Sequence, residues 1–283
     1  MSGFAYIAAA LVLAWAALVI TAQLQNPDPS PLALGMSGLA RGRSPWVMKS
    51  SFIVRGLSAL VLVASMPGEL RVEGLFLAAV VLLWVWGLGS AALAVADTDM
   101  PGEPPTSAGK THAIIALVAY VAGAAGAIIL SAAMLHTAGL SGLAVWALPI
   151  SITAAAALVV QFIAFGAQAR ETQAAAGRLL SGAVQTGAPA VASAPAAAMP
   201  SPAVVSPPAP APLAAGVPPQ LGVAPAAPAT RPAVAAASPP RPDRPDGSAG
   251  LLHDLAGYAG LYQRLFVGLL MAWTLLVALG IAL

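Results

Sequence analysis

The chain has 283 residues, 59% of them hydrophobic and only 8% charged, with a mean hydropathy of +0.86 and a formal net charge of +2. Soluble domains carry about 25% charged residues, so this chain cannot cover a water-facing surface, and so small a positive balance does not point to nucleic acid. It has no cysteine, which removes disulfides, thiolate metal sites and thiol nucleophiles.

Six apolar stretches, at 3–22, 47–66, 75–96, 113–134, 143–166 and 261–283, are each long enough to cross a hydrocarbon core of about 30 Å as a helix. The predicted fold is all-α: a polytopic bundle of six transmembrane helices. The first stretch lacks a basic flank, and Ile20 interrupts an A-x-A cleavage pattern ending at Ala22, so it reads as a retained helix rather than a signal peptide. The connection from Gln23 to Trp46 is rich in Pro, Gly and Ser. Short connections at Pro67–Gly74 and Leu135–Gly142 predict two antiparallel hairpins, from spans two and three and from spans four and five. The connection at Asp97–His112 is compact, acidic and proline-bearing.

The fifth connection differs in kind. Pro189 to Pro245 holds 17 of the 26 prolines, embedded in Ala, Val and Ser. Proline removes backbone donors and stops helices, and Pro/Ala runs favour extended conformers, so 181–250 is predicted to be a disordered linker. Residues 1–180 then supply helices one to five of a membrane domain, and 251–283 supply the sixth. Pro239, Pro242 and Arg244 fit a PxxPxR pattern for SH3-type grooves, a match expected by chance in so proline-dense a stretch. A soluble partner reached through this segment is the one macromolecular partner the sequence suggests besides membrane lipids; nucleic acid is not expected.

Lysine and arginine set the orientation. Arg41, Arg43, Lys49, Arg55, Lys110, Arg170, Arg178 and Arg264 lie on the side of connections one, three and five, against Arg71 alone on the other. The positive-inside rule places that richer side in the cytoplasm and both termini outside. Span four carries Ala122, Gly123, Gly126 and Ala127, small residues that let helix backbones approach closely, here for packing within the bundle.

Polar residues converge towards the same face. Arg55 lies about 17 Å along its helix from Pro67 at 1.5 Å per residue, inside the hydrocarbon layer, where a charge normally faces the bundle interior or a wet cavity. Ser90, Tyr120 and Gln161 lie at comparable depth; Lys49, Asp97, Asp99, Lys110, His112 and Arg264 lie nearer the surface. One reading is a polar vestibule for an anionic headgroup or small polar ligand, with Arg55, Asp97, Asp99, His112, Tyr120, Gln161 and Arg264 as its candidate residues. The other is that Arg55 and Arg264 pair with Asp97 or Asp99 and pin the helix ends. Only three histidines exist, His112, His136 and His253, and none has HxxxH or HExxH spacing, so no metal or other cofactor is expected. GxSxG elbows, GK[ST] phosphate loops and CxxCH haem attachments are absent too. Trp46, Trp84, Trp86, Trp146 and Trp273 are scattered, those near span ends reading as interface anchors.

Three runs carry a family resemblance: Ala33-Leu34-Gly35 with Trp46-Val47-Met48, Phe52 and Gly56-Leu57; Asp97-Thr98-Asp99 with Pro101-Gly102, Pro104-Pro105-Thr106, Gly109-Lys110 and His112; and Gly260-Leu261 with Gln263-Arg264-Leu265 and Trp273. In these the chain resembles the bacterial and archaeal membrane family catalogued as domain of unknown function 998, across all six spans and without the proline-rich segment. Val95-Ala96 departs from an aromatic or aliphatic residue followed by proline in that family. The resemblance implies a six-helix integral membrane domain and no reaction, and it singles out Asp99, His112 and Arg264. The expected protein is a non-enzymatic multi-pass protein of a bacterial plasma membrane. Its alternatives are a small transporter with Arg55 in the path, or a metal-dependent intramembrane hydrolase using Asp99 and His112.

Overall fold

A computed structural model describes residues 2–27, 30–67, 70, 74–100, 103–185 and 247–283. Among these the chain forms seven helices: α1 (Ser2–Gln25), α2 (Pro45–Ala64), α3 (Gly74–Ala92), α4 (Ser107–Leu135), α5 (Ser141–Gln185), α6 (Gly247–Gly257) and α7 (Ala259–Ala282). A 3-10 turn, Met36–Arg41, precedes α2, and no strand is present among the described residues. Every helix except α6 is long and apolar enough to span a membrane. Leu13, Ile20, Leu77, Leu88, Ile114 and Val159 point outward, as lipid-facing side chains do. The protein is a multi-pass integral membrane protein, as its six apolar stretches predict.

Consecutive helices α1 to α4 pack side by side, and α7 lies against α1, α2 and α4. Apolar burial drives little association between helices in lipid, so close backbone approach has to hold them. A methyl group built on Gly56 of α2 would strike the Gly87 carbonyl of α3. One built on Gly123 of α4 would sit 2.8 Å from the Trp86 ring, and one on Gly126 would sit 3.0 Å from Leu83. The small-residue stripe of α4 is therefore used inside the bundle. α5 contributes an alanine face, with Ala144, Ala147, Ala154, Ala157 and Ala164 all buried, and its Leu143 fills the space beside Gly280 of α7. The α4–α5 hairpin turns through Gly139, whose φ of +80° lies in the left-handed region that only glycine enters cheaply.

Buried hydroxyls are satisfied locally. Ser51, Ser58 and Ser65 donate to the carbonyls of Met48, Arg55 and Leu62. Ser131, Thr137 and Thr274 donate to Ala127, Ala133 and Leu270. Ser131 also accepts from the indole nitrogen of Trp273 at 2.8 Å. Trp86 and Trp273 are core residues, whereas Trp46, Trp84 and Trp146 are exposed.

The described structure adds three elements to the predicted pattern. The 3-10 turn buries Met36, Leu39 and Ala40 within a connection that reads as plain loop. α5 runs about 67 Å at 1.5 Å per residue, well past the apolar end near Gly166, because Ala, Gln, Glu and Arg are strong helix formers even where they are not apolar. α6 begins inside the predicted linker and is joined to α5 by His253 Nδ1 and the Glu171 carboxylate, 2.9 Å apart. Arg71, the PxxPxR run and the rest of the proline-rich segment lie outside the described residues.

Candidate functional site

Connections one and three and the start of α7 come together at one end of the bundle, and most of their polar groups are consumed in tying them. Arg41 grips Glu103 with two bonds, 2.6 and 3.2 Å, and donates to the Thr98 carbonyl at 3.1 Å. Lys49 pairs with Asp97 at 2.8 Å. Asp99 accepts from both the hydroxyl (2.6 Å) and the backbone amide (3.0 Å) of Thr106, which in turn caps α4 by accepting from the Gly109 amide at 3.0 Å. The hydrogen bond and charge of Lys49 hold the Asp97 carboxyl below the usual carboxylate range. The Thr106 hydroxyl and amide do the same for Asp99.

Arg264 is a structural lock. One of its terminal nitrogens donates to the carbonyls of Pro31 (2.6 Å), Leu34 (2.8 Å) and Gly260 (3.1 Å), and the other to the Gln23 amide oxygen (2.8 Å). The Leu261 amide adds a bond to the Leu32 carbonyl. Connection one is thus stitched to both α1 and α7. The predicted pairing of Arg55 or Arg264 with Asp97 or Asp99 does not form, because Lys49 and Thr106 stand closer to those carboxylates and occupy them.

Arg55 lies deeper and is 1% exposed. Its Nε donates to the Ser90 hydroxyl at 3.3 Å. Its guanidinium carbon is 5.5 Å from the Phe52 ring centre and 5.4 Å from that of Tyr120, within cation–π range. Nη2 has no partner. Beside it, Gln263 donates to the Tyr120 hydroxyl (3.4 Å) and accepts from the Met36 amide of the 3-10 turn. His112 donates from Nδ1 to the Ala96 carbonyl at 2.8 Å and meets Phe52 edge-on. Gln161 of α5 is 3% exposed, and its amide oxygen is unpartnered.

Next to these groups a cleft of about 600 Å³ opens where three segments meet. Leu34, Gly35 and Gly38 form one wall, Met100, Pro104 and Pro105 another, and Phe165, Gln168 and Thr172 of α5 the third, with Asp99 and Glu103 also lining it. A methyl on Gly35 would lie 3.1 Å from the Phe165 ring and 2.9 Å from Gln263 Oε1, so glycine there keeps α5 close to connection one. A smaller hollow of about 400 Å³ lies beside it, bordered by Asn26, Arg41 and Arg43. Of the predicted candidates only Asp99 lines the larger cleft. Arg55, Tyr120 and His112 cluster beneath the 3-10 turn, Asp97 is held by Lys49, and Arg264 belongs to the lock. No three of His, Asp and Glu gather into a metal-holding group among the described residues. Phe165, Gln168 and Thr172 carry no motif; their spacing of three and four residues on a helix leaving the membrane is the one sequence signal that points to them.

The family described as "Protein of unknown function (DUF998)" matches residues 8–205. The chain belongs to this family. The matched stretch takes in α1 to α5 and both signature runs around connections one and three, and it ends before α7, so Gly260 to Trp273 lies beyond it. No curated protein and no solved structure matches the chain. Membership of DUF998 fits an integral membrane protein and brings no reaction with it.

Proposed function

We propose that this DUF998 protein is a non-enzymatic binding protein of a bacterial plasma membrane, which takes a lipid headgroup or small polar ligand at the face formed by connections one, three and five. The cleft of about 600 Å³ carries the reading. It falls within the roughly 300–1,000 Å³ of small-molecule sites and has their composition, an apolar wall with a few placed polar groups. Its three walls are anchored independently, by the Arg264 bonds, the Arg41–Glu103 pair and the α5 helix, so it does not depend on a single mobile loop. The cation excess on this side supports a cytoplasmic opening, and the proline-rich 189–245 segment is a tether suited to engaging a soluble partner there.

The test is native mass spectrometry of the purified full chain for co-purifying small molecules or lipids, repeated with Ala169→Trp. Ala169 lines the cleft and faces outward from α5, so the indole fills the space without entering the core. A co-purifying species that Ala169→Trp expels is the expected result; one retained unchanged by the filled cleft refutes the reading.

A second reading, transport, is favoured by Arg55, a cation buried at membrane depth without a carboxylate partner and with one nitrogen unbonded. Such groups mark ion and substrate paths in membranes. It predicts a flux of small anions into proteoliposomes that Arg55→Met abolishes.

A further inference from the structure

We infer that α6 is a membrane-surface helix, with its leucine face set against the lipid of the leaflet in which α7 begins. At 11 residues it is too short to cross a bilayer, and its apolar and polar residues segregate. Around the helix, Leu251, Leu252 and Leu255 fall within one sector of about 100°, and His253, Asp254 and Gly257 fall within another of similar width on the far side. Ala256, next to His253 on this wheel, is buried, and His253 meets Glu171 of α5 at 2.9 Å, so that side faces the protein. Leu251 and Leu252 are 61% and 38% exposed. Among the described residues, protein leaves the leucine face open.

Two observations identify lipid as what covers it. The first is continuity. Leu251, Leu255, Tyr258, Leu261 and Leu265 follow one another at spacings of three or four residues, which keeps them on one stripe, and each is exposed or half-buried. Leu261 and Leu265 belong to the membrane-spanning α7, so the far half of the stripe already faces lipid. Tyr258 joins the halves: its amide donates to the Leu255 carbonyl, its carbonyl accepts from the Tyr262 amide, and its ψ of 14° bends the chain between the two helices. Its ring is 45% exposed, as an aromatic at a membrane–water boundary is. The second observation is depth. Glu171, to which His253 holds α6, lies five residues past Gly166, where the apolar part of α5 ends, or about 7.5 Å along the helix. The headgroup layer outside the hydrocarbon core is about 5–7 Å deep. Stripe and pin thus set α6 at one level. The helix carries Asp254 and no lysine or arginine, so its hold on the leaflet is apolar and owes nothing to anionic lipid.

The chain has no cysteine, so a single one can be introduced and labelled in the full protein. Leu251→Cys, carrying the fluorophore NBD in phosphatidylcholine nanodiscs, is expected to be quenched by a lipid bearing a nitroxide at the head of its acyl chain and shielded from aqueous iodide. Leu265→Cys, on the outward side of α7, is expected to behave alike. Ala174→Cys, exposed on α5 beyond Glu171, is expected to show the reverse. Adding Leu252→Asp to Leu251→Cys is expected to remove about half of the lipid quenching or more, because a charge on the apolar face opposes its burial. Exchanging part of the phosphatidylcholine for phosphatidylglycerol is expected to change neither signal. A Leu251 probe as open to iodide as the Ala174 probe overturns the inference. So does one shielded from both quenchers, which is then covered by a second copy or by the chain's own 189–245 segment. Lipid quenching that survives Leu252→Asp unchanged belongs to the fluorophore alone, and quenching that needs phosphatidylglycerol is electrostatic; either result also overturns it.

Discussion

Arg264 and Arg55 are both arginines drawn into the same end of a membrane bundle, and they are treated in opposite ways. Arg264 spends its hydrogens on the carbonyls of Pro31, Leu34 and Gly260 and on Gln23, so its charge is dispersed over four oxygens. Arg55 has one serine, two aromatic faces and an open nitrogen. The first arrangement is what a structural tie needs. The second leaves a cation underused in a place where charge is expensive.

Substitution separates the two directly. Arg264→Met frees connection one from α1 and α7 at once, and with charge-assisted bonds lost and carbonyls left open a destabilisation of about 3 kcal/mol is expected, read as a lower thermal midpoint in detergent together with faster proteolysis between Gln23 and Trp46. Gly260→Ala attacks the same tie by steric means, since its methyl would strike the Leu34 carbonyl; backbone cannot step aside cheaply, so a loss of about 2 kcal/mol is expected. Arg55→Met is expected to leave the midpoint within about 1 kcal/mol or raise it, because an apolar side chain of similar length replaces an uncompensated charge. Should Arg55→Met unfold the protein as readily as Arg264→Met, the contrast between the two arginines is gone. The smallest effect concerns pH. Asp97 and Asp99 have folded carboxyl pKa values below their unfolded ones, so they add stability above about pH 4 that is lost as pH falls further. Asp97 is exposed and Asp99 only half-buried, so a shallow decline is expected in melting scans between pH 7 and 3, reduced in Lys49→Met.

The bundle was legible because lipid imposes a simple rule: twenty apolar residues and few charges make a span, and α1 to α5 and α7 obey it. The end of α5 was not, since helix propensity rather than hydrophobicity carries it from Gly166 onward. The 3-10 turn escaped notice for a related reason. Met36, Leu39 and Ala40 are too few to form a periodic pattern, and they pack against α2, which follows at once, and against α7, distant in sequence. Depth and residue type singled out Arg55, Tyr120 and Gln161, which are buried, and connection three gave Asp97, Asp99 and His112, of which Asp99 alone lines the cleft. Partner choice was the step that failed. Lys49 takes Asp97 because one and a half turns of α2 carry it to the end of α3, and Arg264 finds carbonyls because connection one folds back over α7; neither distance is written in local sequence. Phe165 and Thr172, which help make the cleft, look like ordinary helix surface until connection three is folded against them.

The inward bonding of the serines and threonines has a consequence for conduction. A proton relay needs neighbours that can each receive a hydrogen and pass one on. Ser51, Ser58, Ser65, Ser131, Thr137 and Thr274 have each committed theirs to a carbonyl three or four residues earlier in the chain. Along those positions no hydroxyl is left with a hydrogen to hand on, so the interior offers no serine and threonine wire across the lipid, and the polar hydrogens not spent in this way include those on Nη2 of Arg55, at one end of the bundle.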